Sequence, residues 1–225
     1  MSRLPNKRLI IMAHADDPEL ACGGTIALWA RHEPVHIIIV SSGEKGTWQK
    51  NAGLLNLPAK REAEAKRSAR YLGVKKVIFL RHPDGEVTSI QTLKIELAAI
   101  IRSIKPRTII THDPWRRQFH PDHRATGFAV IDAVMIARDR HFYPFLLEIG
   151  LNEHRPKELL FTPTDKPTVV KDITATFSKK IKAIQFHTSQ LRQLPRWKKR
   201  IEQRALNEGF PAGFKYGEAF YKMDL

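Results

Sequence analysis

The sequence predicts an α/β fold: a mainly parallel sheet with helices on both faces. Three observations carry this expectation. Short apolar runs of strand length alternate with helix-length segments from residue 8 to residue 137. A chain of 225 residues suits one core better than two self-sufficient ones. The single cysteine, Cys22, excludes an internal disulfide framework and favours a reducing compartment.

Taken in order, Arg8–Ala13 and Val35–Val40 are expected as strands, the second rich in β-branched residues, with Thr25–His32 as a short helix between them. Ala59–Leu72 follows as a helix closed by Gly73, Lys76–Leu80 as a strand and Thr92–Ile104 as a helix. Thr108–Thr111, just after Pro106, is the fourth strand, and Asp122–Ala137 is helical. Alternation at these lengths implies right-handed crossovers. Beyond residue 138, prolines at 144, 156, 163, 167 and 195 break the rhythm, leaving a strand at Glu158–Thr162 and helices around Ile173–His187 and Trp197–Asn207. The expected organisation is one domain over 1–225, with 1–138 as the α/β core and 139–225 as its C-terminal extension. Gly43–Pro58 is polar and expected to be structureless, and loops that long are often functional.

Hydrophobic residues at 42% and charged residues at 27% exclude wholesale disorder, collagen-like structure and coiled coil. The N-terminus lacks the apolar stretch and cleavage site of a secretory signal, and no run approaches the roughly 18 residues of a membrane span. A cytoplasmic protein without a transmembrane segment is expected. With 38 Lys and Arg against 23 Asp and Glu, the formal charge is +15. Such a field attracts anions, whether nucleic acid, anionic lipid or acidic small molecules.

The chemistry is concentrated in two clusters. His14-Ala15-Asp16-Asp17-Pro18-Glu19 begins where the first strand ends, and in open parallel sheets ligands bind at the carboxyl ends of strands. Adjacent carboxylates repel and lose solvation when buried, unless a cation sits between them. The competing reading is that His14 bonds to backbone while Asp16 or Asp17 caps the next helix. His120-Pro121-Asp122-His123 follows the fourth strand across a short loop, so both clusters converge on one rim. One His and one Asp from the first cluster with one His from the second supply three metal ligands. The remaining Asp and His are left for proton chemistry.

The run Ala13-His14-Ala15-Asp16-Asp17-Pro18-Glu19-Leu20-Ala21-Cys22-Gly23-Gly24-Thr25 resembles the N-terminal signature of the PIG-L or LmbE-like zinc de-N-acetylases, and His120-Pro121-Asp122-His123 resembles their second signature. Arg61 and Glu64 ahead of Leu72-Gly73, then Pro83-Asp84-Gly85, Lys105-Pro106 and His187-Thr188-Ser189-Gln190, fall in family order. The resemblance implies a Rossmann-like fold with Zn²⁺, or another divalent ion, held by His14, Asp17 and His123. It implies Asp16 as general base, His120 as the group that stabilises the oxyanion or protonates the leaving amine, and Asp122 as the residue orienting His120. Arg61 and Asp84 match positions that contact sugar hydroxyls in relatives. The implied reaction is hydrolysis of the acetamide of an N-acetylglucosamine-type substrate to acetate and free amine. The net charge suits an anionic aglycone, and the resemblance is compatible with a homo-oligomer. Two departures stand out: Ala15 replaces the usual proline, and Gln118 stands where some relatives carry a catalytic tyrosine.

Other features have plainer readings. Cys22-Gly23-Gly24-Thr25 lacks the spacing of a nucleotide loop, and Cys22 is expected as a small packed residue. The basic run Leu191–Arg204 is expected as a solvated face. His82, His112, His141 and His154 have no motif partner, so capping or surface roles are expected, whereas His187 is placed near the site by its family-like position. Two rival functions remain at this level, a metal-dependent phosphoesterase and a nucleic-acid binder resting on charge alone. No obligate nucleic-acid partner is expected.

Overall fold

The computed structural model describes residues 6–47, 56–89, 91–115 and 119–225. Five strands, β1 (Arg8–Met12), β2 (Val35–Ser41), β3 (Lys76–His82), β4 (Thr108–Thr111) and β5 (Glu158–Phe161), run parallel in the order 3-2-1-4-5. Two more, β6 (Val169–Asp172) and β7 (Gly217–Asp224), extend the same sheet in the order β5-β7-β6, both pairings antiparallel. The eight helices described are α1 (Asp17–Trp29), α2 (Leu57–Leu72), α3 (Leu93–Ile104), α4 (Pro121–Arg138), α5 (Phe145–Glu148), α6 (Phe177–Ile184), α7 (Thr188–Leu191) and α8 (Trp197–Gly209).

The sheet is covered on both faces, and this is why its strands read as continuous apolar runs. Along β1, Leu9 and Ile11 enter a core with Leu97 and Ile101 of α3 and Val130 and Val134 of α4. Ile10 and Met12 point the other way, into a core with Ile26 of α1, Leu72 of α2 and Ala183 of α6. The strand order reverses at β1, because the chain proceeds to β2 and β3 on one side and to β4 and β5 on the other. That is the topological switch point of a Rossmann-like sheet, and the crevice between β1 and β4 opens there.

The strands and helices of the first 138 residues follow the sequence expectation, except that the first helix starts at Asp17 and not at Thr25. Pro18 sits in its first turn, where a missing N–H is tolerated. Gly23 and Gly24 are inside the helix, and a Cβ on Gly24 would lie 2.7 Å from the Cβ of Ile173. The helix kinks at Cys22, at φ −141° and ψ 28°. Beyond the kink, the amides of Gly24 and Thr25 donate to the Glu218 carboxylate at 2.9 and 2.7 Å, and Lys180 Nζ donates to the same group at 2.7 Å.

The expected helix Ile173–His187 is confined to Phe177–Ile184, with α7 following as a separate turn. Strands β6 and β7 were not expected, because β7 carries Glu218 and Lys222 and owes its conformation to pairing with its neighbours rather than to an apolar run. Of the loop expected over Gly43–Pro58, residues 48–55 lie outside the described residues, and α2 begins before its end. Among the described residues no helix is long and apolar enough to cross a membrane.

Glu218 is 1% exposed and holds a buried ammonium together with two helix amides. Glu218→Ala would leave Lys180 charged and unpaired, so a loss of about 3–5 kcal/mol is expected in denaturant unfolding, whereas a loss below about 1 kcal/mol would show that the pair is replaceable.

Candidate active site

The chain leaves β1 at Ala13, and His14 stands at the mouth of the crevice. Asp17 folds back on this turn: its Oδ2 accepts the His14 amide at 2.7 Å. Asp16 occupies the N-cap position of α1 without a side-chain cap bond, so the plain capping reading of this residue does not hold. Its Oδ1 instead accepts Arg61 Nη2 at 2.8 Å.

From the far side of the crevice, α4 brings in His123. His14 Nδ1, His123 Nε2 and Asp17 Oδ2 form a triangle with sides of 3.1, 3.3 and 3.3 Å. Ligand atoms at about 2.0–2.1 Å from one tetrahedrally coordinated ion stand about 3.3–3.4 Å apart, so the donor set and its spacing fit a divalent metal. Behind the triangle, His14 Nε2 lies 3.1 Å from Asp84 Oδ1 and 3.5 Å from Asp122 Oδ2, the arrangement by which carboxylates fix the tautomer of a ligating imidazole.

These contacts set the protonation of the site. Burial disfavours charge on His14, yet its hydrogen bonds to Asp122, Asp17 and Asp84 outweigh that and hold its pKa well above the ordinary value. Burial likewise opposes ionisation of Asp84, but the His14 hydrogen bond and charge bring it down to about 2. Asp17 is held well below its usual range by the charges of His123 and His112, against the effect of burial.

His120 caps α4: its Nδ1 accepts the Asp122 amide at 3.2 Å, and its Nε2 has no hydrogen bond among the described residues. Its ring stands edge-on to His14 at 4.6 Å, and burial, then the charges of His14 and His123, lower its pKa. The Asp122 carboxylate, expected beside His120, is turned toward His14 and accepts the amides of Gly85 and Val87 at 2.7 and 3.3 Å. Gln118 lies outside the described residues.

Arg61 and Asp84 both reach the site, and both are committed to protein contacts. Arg61 is 3% exposed and spans Asp16 and the Gly43 carbonyl, the latter at 2.9 Å. Gly43 has φ +66°, and a Cβ there would lie 2.5 Å from Arg61 Nη1, so glycine is needed for the guanidinium to fit. Asp84 faces His14 and accepts the Lys45 amide at 3.2 Å.

His112 corrects the sequence reading, which gave it a surface or capping role. It is 2% exposed, stacks on His123 at 4.0 Å, and places Nε2 3.1 Å from the Ala13 amide nitrogen and 3.2 Å from Asp17 Oδ2. Asp17, His112 and His123 thus form a second group with ligand atoms within 4.8 Å of one another. The available signal was its position immediately after the fourth strand, on the same rim as His14. His187 is also buried, with Nε2 3.1 Å from Glu19 Oε2 one turn beyond Asp16. His82 and His154 contact Glu96 and the Pro106 carbonyl, away from the cluster.

A Rossmann-like sheet whose switch-point crevice gathers imidazoles and carboxylates at metal-ligand spacing defines an α/β protein with a candidate metal centre. Residues 9–134 match the PIG-L family model, described as GlcNAc-PI de-N-acetylase, and this chain belongs to that family. It is 33% identical to diacetylchitobiose deacetylase of Thermococcus kodakarensis over 94% of this chain and 81% of that protein. A probable N-acetyl-alpha-D-glucosaminyl L-malate deacetylase 2 of Bacillus cereus is 31% identical over 81% of this chain and 82% of that protein. The solved structure of N,N'-diacetylchitobiose deacetylase from Pyrococcus horikoshii superposes with a TM-score of 0.91 at 33% identity, covering 98% of this chain and 84% of that one.

His112 also gives the site a pH signature. Burial, then the charge of His123, push its pKa down to about 4 from 6.5. The unfolded chain therefore takes up this proton first as pH falls, so the contribution is complete above about 6.5 and lost toward pH 4. In chelator-treated protein, urea unfolding at pH 7 and pH 4 is expected to show a drop to which His112 contributes up to about 3 kcal/mol. His112→Gln should reduce that drop, and an identical drop in both proteins would reject the assignment.

Proposed function

We propose that this chain hydrolyses the acetamide of an N-acetylglucosamine-type substrate, releasing acetate and a free amine, with Zn²⁺ or another divalent ion held by His14, Asp17 and His123. The observation that carries this reading is the triangle of three donor atoms with sides of 3.1–3.3 Å at the switch point, flanked by Asp16 and His120. The deacetylase relatives supply the substrate class. A divalent ion bound there would polarise the acetamide carbonyl and acidify a water near neutral pH.

The chain's own groups do the rest. Asp16 takes a proton from the attacking water; Arg61 fixes one carboxylate oxygen, and Oδ2, which has no hydrogen bond among the described residues, is the basic atom. His120 accepts at Nδ1, so its neutral ring carries the proton on Nε2. That N–H donates a hydrogen bond to the acetamide oxygen as negative charge develops, and the proton that Asp16 took from the water passes to the departing nitrogen as the C–N bond breaks. Asp122 serves two rings, orienting His120 through its amide and His14 through its carboxylate. In this reading Asp84 and Arg61 shape the sugar pocket while holding His14 and Asp16. We treat 1–225 as one domain, with 139–225 as an extension whose strands complete the sheet, and infer a cytoplasmic homo-oligomer; the single buried Cys22 suits a reducing compartment.

Metal analysis of gently purified protein is expected to give about one divalent ion per chain. His14→Ala and His123→Ala should each lower that content sharply, and unchanged content in both would show that other groups hold the ion.

Asp16→Asn should lower amine release from an N-acetylglucosaminide by about 10²–10⁴-fold while metal stays bound, because the amide keeps the size but cannot take the proton. Asp17→Asn should instead weaken metal binding. The reverse pattern would exchange the two roles.

A further inference from the structure

Arg61 does not supply free positive charge to the active site, because it is buried and neutralised by Asp16. The free positive charge near the rim lies elsewhere. Arg196, Lys199 and Arg200, spaced as i, i+3 and i+4, share one face of the start of α8. They line a cleft of about 840 Å³ closed on the other side by Pro163 and Thr164, which follow β5. None of the three side chains has an ion-pair partner among the described residues. Glu208 also lines the cleft, but its oxygens are taken by Arg204 at 2.6 Å and the Ala219 amide at 2.8 Å. The opposite face of α8 packs through Trp197, Ile201 and Ala205 on Ile173 and Phe177. The basic stripe is exposed, as the sequence suggested, and it lines one side of an open concavity.

The topology joins this cleft to the candidate metal centre. Gln190 and Gln193 donate to the Gly46 carbonyl, in the loop after β2, at 3.1 and 3.2 Å. A few residues later Pro195 and Arg196 stand beside Thr164, after β5. In the strand order 2-1-4-5, the ends of β1 and β4, where His14 and His112 lie, fall between these two points. Thr164 also lines a smaller cavity of about 240 Å³, walled by Trp115 and Tyr221 with Asp113, Asp165 and Lys166. Asp113 directly follows His112. Aromatic walls with carboxylates offer an apolar surface and acceptors for sugar hydroxyls; the unpaired guanidinium and ammonium groups beyond them offer bidentate and point-charge partners for an anion.

We infer that the α8 cleft is a subsite for an acidic sugar, carrying carboxylate, sulfate or phosphate, joined to the N-acetylglucosamine unit whose acetamide lies at the metal centre. This rests on the deacetylase reading above and adds to it the residues that select the rest of the substrate. The neutral part of the chain lies against Trp115 and Tyr221, and the anionic group pairs with Arg196, Lys199 and Arg200.

The test compares two disaccharides of equal size, N-acetylglucosamine linked to glucuronic acid and to glucose, on metal-loaded wild type and on the triple variant Arg196→Ala, Lys199→Ala, Arg200→Ala. All three residues are exposed, so the variant keeps the packed face of α8. The acidic-to-neutral ratio of kcat/KM is expected to be about 10 or more in wild type at low salt, and to approach 1 in the variant and at high salt. A sulfated or phosphorylated disaccharide in place of the glucuronide identifies which acid is preferred. A ratio near 1 in wild type, or one untouched by the triple substitution, overturns the subsite while leaving the deacetylase reading intact. If wild type hydrolyses neither compound, the deacetylase reading fails, and calorimetry judges the cleft by itself. The glucuronide should then bind about 10-fold more weakly to the variant, and equal affinity overturns the inference. Binding of a short single-stranded oligonucleotide that the triple variant loses, with no effect on the glucuronide, would also overturn it and assign the cleft to nucleic acid.

Discussion

Three lone-pair donors, two imidazole nitrogens and a carboxylate oxygen, stand within 3.3 Å of one another in a crevice largely closed to water. Such an arrangement is costly without positive charge at its centre, and the surrounding structure is organised around that cost. Asp84 and Asp122 stand behind His14, the Ala13 amide and Asp17 hold His112, and the amides of Gly85 and Val87 hold Asp122. Each element bordering the crevice contributes a fixed donor or acceptor. The donor geometry therefore comes from a supporting layer of contacts and does not depend on loop side chains finding it unaided.

A second layer is made of buried ion pairs and hydrogen bonds, and it comes mostly from outside the strand-helix repeat. Glu64 of α2 accepts the Thr188 hydroxyl at 2.7 Å and both the amide and hydroxyl of Ser189 at 3.0 and 2.6 Å, which pins α7 next to Arg61. His187 and Glu19 lie together just below Asp16. Glu218 and Lys180 support the kinked middle of α1. The extension beyond residue 138 is in this sense part of the site's frame, although it contributes no member of the donor triangle.

What was legible in the sequence followed from short-range periodicity and from clustering. The continuous apolar runs of β1, β2 and β4 marked strands covered on both faces, and the two His/Asp clusters at strand ends marked one rim of the sheet. The start of α1 was obscured because the run from Asp16 to Gly24 lacks helical apolar periodicity, while the need for glycine at position 24 lies in contact with Ile173, about 150 residues away in the chain. Strand β7 was obscured because its conformation depends on β5 and β6 on either side of it. His112 carried no motif of its own, and its importance arises from a neighbour across the switch point. Arg61 and Asp84 lie beside Asp16 and His14, and their commitment to Asp16, Gly43 and His14 is a property of the folded arrangement that no spacing rule encodes.

The hold of Glu218 on the amides of Gly24 and Thr25 also has a consequence in time. These contacts bridge 194 and 193 residues, and the donor triangle itself closes over 109. During synthesis, His14, Asp17 and His123 leave the ribosome well before the strand that steadies the helix behind them. Contacts of such long separation form late, after the local helices and the first strand pairs. A nascent or truncated chain ending before residue 217 thus carries every donor of the triangle but lacks the acid that anchors the kinked helix. The full rigidity of the centre therefore waits for the last strand of the sheet.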